Sequence, residues 1–303
     1  MGAEGGNDAL RLDRGMHGGD GARGGDGVYA LGFAGDTFNT AWYLARERPG
    51  WDVRYLTAVG EDALSDRFLA FAREAGIGTG PIRRVRGRTL GLYLIRVEAG
   101  ERSFSYWRGE SAACALADDA DHLKAALVGA DLVAFSGITL AILPADARAR
   151  LLDAVGAARA GGALLAFDPN LRPALWADAG AMRDAVTAGA AVADVVLPSL
   201  DEEMRHFGDA SAAETCARYA AAGAARVIVK DGAGPVRFRD GGREGVVALP
   251  RVVDPVDTTA AGDSFNAACL ARLAEGAAPE EAIAAGAALA ARVVRGRGAL
   301  VAT

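Results

Sequence analysis

The sequence predicts an α/β fold built on a mainly parallel sheet, and two patterns carry this prediction. Four short, nearly continuous apolar runs are separated by helical stretches, at residues 132–136, 163–167, 192–197 and 226–230. Strands that are apolar throughout are buried on both faces, which is typical of parallel sheets covered by helices. Earlier in the chain, residues 90–97 and 103–107 alternate in polarity around a turn, which predicts an inserted β-hairpin.

The composition allows a substantial buried core and argues against two classes of partner. The 303 residues are 51% hydrophobic and carry a net charge of −6, so the chain has no basic surface for nucleic acid or an anionic membrane. No apolar run approaches the ~18 residues that a membrane span requires. The first residues lack the apolar segment of a secretory signal. We therefore expect a cytoplasmic protein.

The cysteine and histidine residues indicate neither a disulfide framework nor a metal site. Cys114, Cys216 and Cys269 are odd in number and far apart, which is typical of reduced cytosolic thiols. The three histidines are scattered along the chain, without the spacing of transition-metal ligands.

Residues 1–27 are the Gly-rich part of the chain. They contain ten glycines and almost no apolar periodicity, so we expect them to be disordered. Residues 10–12 are too short an apolar stretch to predict a strand. Residues 19–24 match the glycine pattern of dinucleotide-binding loops, but no strand precedes them and no helix follows, so the match is a chance one. The ordered domain should span residues 28–303.

That domain is expected to open with a strand near residues 28–36 and a helix directly after it. Gly35 would permit unusual backbone angles or let a ligand approach the backbone closely. Asp36 and Asn39 lie three residues apart and therefore share one face of the helix. This stretch is either a turn that binds hydroxyl groups of a ligand or a capped helix start.

The hairpin and its surroundings, residues 87–110, are expected to form a lid over a binding site. Tyr93 and Arg108 are candidates to project from this lid towards a ligand. Because a guanidinium group is planar and can form two parallel hydrogen bonds to a carboxylate, Arg108 indicates an acidic ligand. The alternative is an ordinary surface arginine.

Polar residues follow the apolar run that ends at residue 167. In parallel sheets, functional groups collect beyond the carboxyl ends of the strands. Asp168, Asn170 and Arg172 occupy such a position. A simple Pro-Asn turn would explain Asn170 but not the two charged residues.

The next two apolar runs are also followed by candidate residues. Ser199 and Glu202 follow residues 192–197, where an acidic helix start is the alternative explanation. Lys230 ends the last run, and Gly232 and Gly234 follow it in what is either a ligand-binding loop or an ordinary turn.

The most informative stretch is residues 253–274, where three small residues, Ala260, Ala261 and Gly262, lead into a helix. The first N–H groups of a helix have no intrahelical partner, and together with the helix dipole they favour a bound anion such as phosphate. Asp263 is anomalous there, since a carboxylate repels phosphate. Its position makes sense if it takes a proton from a hydroxyl group that attacks the phosphate. The alternative is a helix N-cap.

The run DTTAAGDSF at residues 257–265 resembles the signature of the ribokinase-like (PfkB) carbohydrate kinases. The resemblance implies a three-layer α/β/α sandwich with a mainly parallel sheet and a small β-sheet lid. It also implies an ATP-dependent enzyme that uses Mg²⁺, with Asp263 as the catalytic base. The backbone of Ala260, Ala261 and Gly262 would form the anion hole. No P-loop pattern occurs in the chain.

The same resemblance implies roles for the remaining candidates. The implied substrate contacts are Gly35, Asp36, Asn39, Tyr93, Tyr106, Arg108, Arg172 and Asp263. The implied nucleotide contacts are Asp168, Asn170, Ser199, Lys230, Gly232, Gly234, Ala260 and Gly262. Glu202 is implied to organise Mg²⁺ indirectly.

The run YWR at residues 106–108 and the alanine at position 260 look like the 2-keto-3-deoxygluconate kinase branch of the family. This likeness implies phosphorylation of that sugar acid at its 6-hydroxyl. The alternatives are a ribokinase- or fructokinase-type kinase of a neutral sugar and a sugar-binding relative without activity.

The chain also departs from the family pattern at its start. Members open with an apolar strand that residues 1–27 do not supply, so we expect a central strand and one substrate contact to be missing. Relatives pair through their lid sheets, and the resemblance implies that a homo-oligomer can form in this way.

Overall fold

The computed structural model describes residues 9–14, 29–98, 101–250 and 252–303. The helices in these ranges are α1 (Asp36–Glu47), α2 (Ala63–Glu74), α3 (Ala120–Leu127), α4 (Gly137–Ile142), α5 (Ala145–Ala160), α6 (Ala179–Val192), α7 (Leu200–His206), α8 (Ala212–Ala222), α9 (Ala261–Ala274) and α10 (Pro279–Val293). Short 3₁₀ helices cover Ala112–Ala115 and Pro173–Leu175. The strands are β1 (Ala9–Arg14), β2 (Tyr29–Ala34), β3 (Ala58–Val59), β4 (Arg83–Arg84), β5 (Gly91–Glu98), β6 (Glu101–Trp107), β7 (Leu132–Ser136), β8 (Leu164–Asp168), β9 (Val195–Val196), β10 (Arg226–Val229), β11 (Val236–Asp240) and β12 (Arg243–Val247).

The main sheet has six strands in the order β12-β11-β10-β9-β8-β7. Strands β7 to β10 are parallel to one another, and β11 and β12 extend the sheet as an antiparallel hairpin. Because helices connect the parallel strands, each connection returns the chain to the same end of the sheet. The predicted α/β fold with a mainly parallel sheet is confirmed.

Helices cover both faces of this sheet, and alternate residues of one strand show how. In β8, Leu165 and Phe167 pack into a core with α3, α5, α6 and α8, whereas Ala166 packs into the core of α9 and α10. All three side chains are at most 1% exposed. Two opposite faces of one strand are thus buried, which explains the continuous apolar run in the sequence.

A smaller sheet of four strands has the order β2-β1-β5-β6. It contains the predicted hairpin, in which Leu92 pairs with Trp107. It also contains β1, so the expectation of disorder throughout residues 1–27 is wrong for Ala9–Arg14. This segment is a strand because it is bonded on both sides, antiparallel to β2 and parallel to β5. Such pairing between distant segments can outweigh weak local propensity. Residues 1–8 and 15–28, including the glycine pattern at 19–24, lie outside the described residues.

One predicted strand differs in extent, and one further segment pairs with a neighbour without forming a regular strand along its length. The apolar run at residues 192–197 is not one strand, because Val192 still belongs to α6 and only Val195–Val196 is a strand. In residues 51–59, the segment 53–59 bonds to residues 78–85, but only Ala58–Val59 is regular strand. Within the described ranges, no helix is both long and apolar enough to span a bilayer.

Candidate active site

The site begins at the start of α9. Ala260 precedes the helix in the left-handed conformation, with φ of 57°, and its carbonyl accepts a hydrogen bond from the Ser264 N–H at 2.9 Å. Asp257 holds the preceding turn, since its carboxylate accepts bonds from the N–H and hydroxyl of Thr259 at 3.0 and 2.7 Å. A third bond to Asp257 comes from the Gly298 N–H at 2.9 Å. The turn is therefore fixed with the first N–H groups of α9 available to an anion.

Asp263 lies in the first turn of α9, so the helix-capping interpretation is wrong: Ala260 is the N-cap residue. Its Oδ2 accepts a hydrogen bond from Asn39 Nδ2 at 2.8 Å, which comes from α1 rather than from α9 itself. Burial, and to a smaller extent the negative charge of Asp36, raises the pKa of Asp263 well above its usual range. A raised pKa makes this carboxylate a stronger base than an exposed aspartate.

Asp36 is the second carboxylate of the site and is only 5% exposed. Its carboxylate accepts a hydrogen bond from the Thr37 N–H at 2.8 Å and another from Asn170 Nδ2 at 2.9 Å. Burial raises the pKa of Asp36, and hydrogen bonds from Ser136, Thr37 and Asn170 offset only part of that effect. Asn170, predicted on the nucleotide side, thus orients a predicted substrate contact.

Gly35 has the backbone position expected of it but not the unusual conformation. Its φ is 174°, an extended value that any residue adopts. Its carbonyl accepts a bond from the Asn39 N–H at 2.7 Å, and its own N–H donates to Asn39 Oδ1 at 3.3 Å. Gly35 and Asn39 therefore brace each other at the start of α1, which keeps the Asn39 amide directed towards Asp263.

Lys230 joins the third carboxylate, Asp168, to α9. Its Nζ donates to Asp168 Oδ2 at 3.0 Å and to Asn266 Oδ1 at 3.1 Å, and Asn266 Nδ2 also donates to Asp168 Oδ2. Nζ lies 3.8 Å from the point where a side chain on Gly262 would begin. The Lys230 amine thus lies close to the anion-binding turn.

Sequence reasoning missed Asn266. The available signal was its position, three residues after Asp263 in a mainly apolar helix, which places both residues on one side of α9. At 3% exposure, Asn266 is a buried polar residue that needs partners, and Lys230 and Asp168 are those partners.

Arg108 approaches the same site from the end of β6. Its guanidinium carbon lies 4.5 Å from the centre of the Tyr106 ring, and the Tyr106 and Tyr93 rings are 6.1 Å apart. Nε and Nη1 of Arg108 are buried and have no hydrogen-bond partner in the part of the chain that the structure describes. Burial lowers the pKa of Arg108, against the attraction of Tyr106 and Asp36. Buried donors of this kind fit an anionic group of a ligand.

Arg172 and Glu202 form an ion pair at the edge of the site. Arg172 Nη1 lies 2.6 Å from Glu202 Oε1, and the Leu171 N–H donates to Glu202 Oε2 at 2.9 Å. Both carboxylate oxygens of Glu202 are thus engaged within the protein. Its role in organising Mg²⁺ stays a prediction, as does the role of Arg172 as a substrate contact.

The remaining predicted nucleotide contacts lie beyond the ends of β9 and β10. Ser199 forms an isolated bridge with Lys230. Gly232 has φ of 52°, and the Gly234 N–H donates to the Asp231 carbonyl at 2.6 Å, so these glycines shape a tight turn. Their role as nucleotide contacts stays a prediction.

The fold and this site define a class of protein: an α/β enzyme with a basic carboxylate beside an anion-binding helix start, the arrangement expected for phosphoryl transfer. The sequence pattern of the pfkB family of carbohydrate kinases matches residues 20–302. The chain belongs to this family, and it is a phosphotransferase with an alcohol group as acceptor.

Individual proteins of known name or structure are similar to this chain in sequence and in fold. The chain is 38% identical over 279 residues to the 2-dehydro-3-deoxygluconokinase of Dickeya dadantii, covering 89% of this chain and 90% of the relative. The crystal structure of a PfkB protein from Polaromonas has a TM-score of 0.82 at 28% identity, covering 95% of this chain and 94% of that one. A fructokinase from Xylella fastidiosa, solved with bound ATP, has a TM-score of 0.82 at 26% identity, covering 97% and 92%. The predicted ribokinase-like fold is confirmed.

Proposed function

We propose that the protein transfers the γ-phosphoryl group of ATP to the 6-hydroxyl of 2-keto-3-deoxygluconate. The observation that carries the proposal is the position of Asp263, whose carboxylate lies in the first turn of the anion-binding helix and is held by Asn39. The substrate follows from Arg108 and from the similarity to a relative named for this sugar acid, for which 2-dehydro-3-deoxygluconate is another name.

In the proposed reaction, Asp263 accepts the proton of the sugar's terminal hydroxyl as its oxygen attacks the γ-phosphorus. The bond from that phosphorus to the bridging oxygen of ADP breaks, and ADP leaves. The N–H groups at the start of α9, around Ala261, Gly262 and Asp263, hold the negative charge of the transferring group. A positioned general base contributes roughly 10²–10⁴-fold to the rate, and one donor to the transferring charge about 3–4 kcal/mol.

The site fits a polyphosphate, because the turn at Ala260 presents N–H groups and Lys230 adds a positive charge close to Gly262. We assign ATP to this side of the site. Among the described residues, no cluster of three or more potential ligands could hold a metal ion. Mg²⁺ would therefore arrive with the nucleotide and neutralise phosphate charge.

Arg108 is the proposed specificity residue. Its buried, unpartnered donors lie beside the Tyr106 ring and would pair with the carboxylate of the sugar acid. Asp36 and Asn39 would bind hydroxyl groups of the same sugar. A kinase of a neutral sugar is the alternative, and it has no use for an unpaired buried guanidinium.

The test measures ADP release with ATP·Mg²⁺ and 2-keto-3-deoxygluconate, beside gluconate, fructose and ribose. Asp263→Asn removes the base and should abolish turnover, whereas Asp184→Asn changes an exposed aspartate of α6 and should leave turnover unchanged. Selective turnover of the keto acid supports the proposal. Turnover of a neutral sugar alone would reject the substrate, and none with any acceptor from folded protein would reject the activity.

A further inference from the structure

The side chain of Tyr43 in α1 is 0% exposed and takes no part in the proposed reaction. Its hydroxyl donates to the Ala299 carbonyl, 256 residues later in the chain, at 2.8 Å. The same oxygen accepts a hydrogen bond from the Val301 N–H at 3.0 Å. Burial raises the pKa of Tyr43 to about 12, so the hydroxyl keeps its proton and remains a donor. We call residues 298–301 the strap, and Tyr43 fastens its backbone at two points.

The strap also bonds the anion-binding turn. The Gly298 N–H donates to Asp257 Oδ2 at 2.9 Å, and Oδ1 of the same carboxylate accepts the two bonds from Thr259. Gly298 has φ of 90°, a left-handed value that favours glycine. Asp257 therefore connects the strap to the turn that ends at Ala260.

A third contact of the strap is with the smaller sheet. Ala299 forms a buried apolar cluster with Ala34 of β2 and Tyr93 of β5. Ala260 and Leu300 pack against this cluster. The N-cap residue of α9 and two strands of the smaller sheet thus contact one short segment, whose backbone Tyr43 holds.

The groups that meet at the strap serve different ligands in the proposed reaction. The Tyr93 ring lies 6.1 Å from the Tyr106 ring, and the guanidinium carbon of Arg108 lies 4.5 Å from the centre of the latter. This side of the site would bind the acceptor, whereas the turn at Ala260 would bind phosphate. Coupling between two sites can be carried by contiguous packing and hydrogen bonds, and the strap supplies both.

We propose that Tyr43 is a positioning residue, which holds the strap so that an acceptor bound beside the smaller sheet strengthens the binding of ATP at the anion-binding turn. Without the hydroxyl, the buried Ala299 carbonyl loses this partner, and the strap can shift independently of α1. An effect of the acceptor would then no longer reach Asp257. The identity of the two ligands rests on the proposed function, but the contacts of Tyr43 do not.

The first test needs no ligand. Tyr43→Phe removes the hydroxyl and keeps the ring. Tyr219→Phe is the matched control, because Tyr219 is also 0% exposed and its hydroxyl bonds Glu203 in α7 instead of the strap, at 2.9 Å. Tyr43→Phe should speed hydrogen exchange of the Gly298 and Thr259 amides, which one carboxylate holds, at least about tenfold. In Tyr219→Phe, both amides should exchange within about twofold of the wild-type rate.

The second test measures the Kd of the ATP analogue AMP-PNP with Mg²⁺, in the absence and presence of 2-keto-3-deoxygluconate. The acceptor should lower this Kd at least about fivefold in the wild type and in Tyr219→Phe, but less than about twofold in Tyr43→Phe. Gly298→Ala, which is strained at φ of 90°, should weaken the coupling to a similar extent. The double variant should show no further loss, because both changes act through the strap.

The inference is wrong if Tyr43→Phe leaves the exchange of both amides unchanged, or if the acceptor still tightens nucleotide binding as it does in the wild type. Equal effects in Tyr219→Phe would show that loss of any buried hydroxyl loosens the molecule, and an active wild type without coupling would overturn the inference as well. If the wild type turns over a neutral sugar instead, that sugar replaces the keto acid in the binding test. If it turns over no acceptor, the proposed function fails, and hydrogen exchange still decides whether Tyr43 holds the turn.

Discussion

Replacing Arg108 by Met measures what the buried guanidinium contributes to binding an acidic sugar. Nε and Nη1 are the two unpartnered donors, and a hydrogen bond between charged groups contributes about 1.5–3 kcal/mol. Two such bonds to one carboxylate would contribute about 3–6 kcal/mol. Because 1.4 kcal/mol corresponds to a factor of ten, Arg108→Met should raise the KM for 2-keto-3-deoxygluconate roughly 10²–10⁴-fold.

The assay follows ADP release at saturating ATP, with the keto acid and with fructose as a neutral comparison. Met keeps the apolar length of the side chain, so the kcat/KM for fructose should change little. Arg86→Met, at an exposed arginine, is the matched control for the change of charge. In the absence of ligand, the melting temperature of Arg108→Met should stay the same or rise, because burial of the charged group opposes folding.

Two results would refute this reasoning. Equal losses on the keto acid and on fructose would show that Arg108 does not recognise the carboxylate. A melting temperature several degrees lower in the variant would show that Arg108 supports the packing of β6, and that the loss of activity follows from a distorted lid.

Three further predictions concern the start of α9. Lys230→Met should lower kcat at least about tenfold and move the acid limb of the pH–rate profile to higher pH, because Lys230 lowers the pKa of Asp263. Lys230→Arg, which keeps the charge, should restore part of the rate. An acid limb at the same pH in Lys230→Met and the wild type would contradict this prediction. Asp263→Asn should raise the melting temperature at pH 7, since a carboxylate with a raised pKa is less stable when ionised in the folded state. That gain should shrink as the pH falls through the raised pKa towards 3.8, and pH-independent melts would count against it. Ala260→Val should lower the free energy of unfolding, measured with urea, by about 1–2 kcal/mol, because a β-branched residue is strained at φ of 57°. Ala260→Gly, which relieves that strain, should keep kcat within about threefold of the wild type. Equal stability of the Val and Gly variants would show that the backbone at residue 260 is not strained.

Much of the fold could be predicted because burial on two faces leaves a strong mark on the sequence. The runs at residues 132–136, 163–167 and 226–230 fall on β7, β8 and β10. The strand predicted at residues 192–197 was wrong in extent, because an apolar stretch alone does not distinguish the buried end of a helix from a strand. β1 could not be predicted for a different reason: its stability comes from bonds to β2 and β5, which local sequence does not encode.

In the site, too, residues that belong to one short stretch could be predicted from the sequence, whereas contacts between residues far apart in the chain could not. Asp263 and the small residues before it form a local pattern, so their position at a helix start could be predicted. Asn39 lies 224 residues away from Asp263, and its role as hydrogen-bond donor depends on how α1 packs on α9. Asn170 bonds Asp36 because the turn after β8 reaches across to α1, a contact that the local sequence does not encode; the role of Asn170 towards a nucleotide stays a prediction.

The three carboxylates that lie close together at the start of α9 also help to decide whether the protein catalyses a reaction or only binds a sugar. Asp36, Asp168 and Asp263 come from three separate elements; Lys230 is bonded to Asp168, and its charge lowers the pKa of Asp263. The pKa values of Asp36 and Asp263 are both raised, so holding them ionised opposes folding. A protein that only binds a sugar could replace Asp263 with Asn, keep the bond to Asn39 and gain stability. Retention of a costly, strongly basic carboxylate beside an anion-binding turn is what a proton-accepting role requires, and it favours catalysis over binding alone.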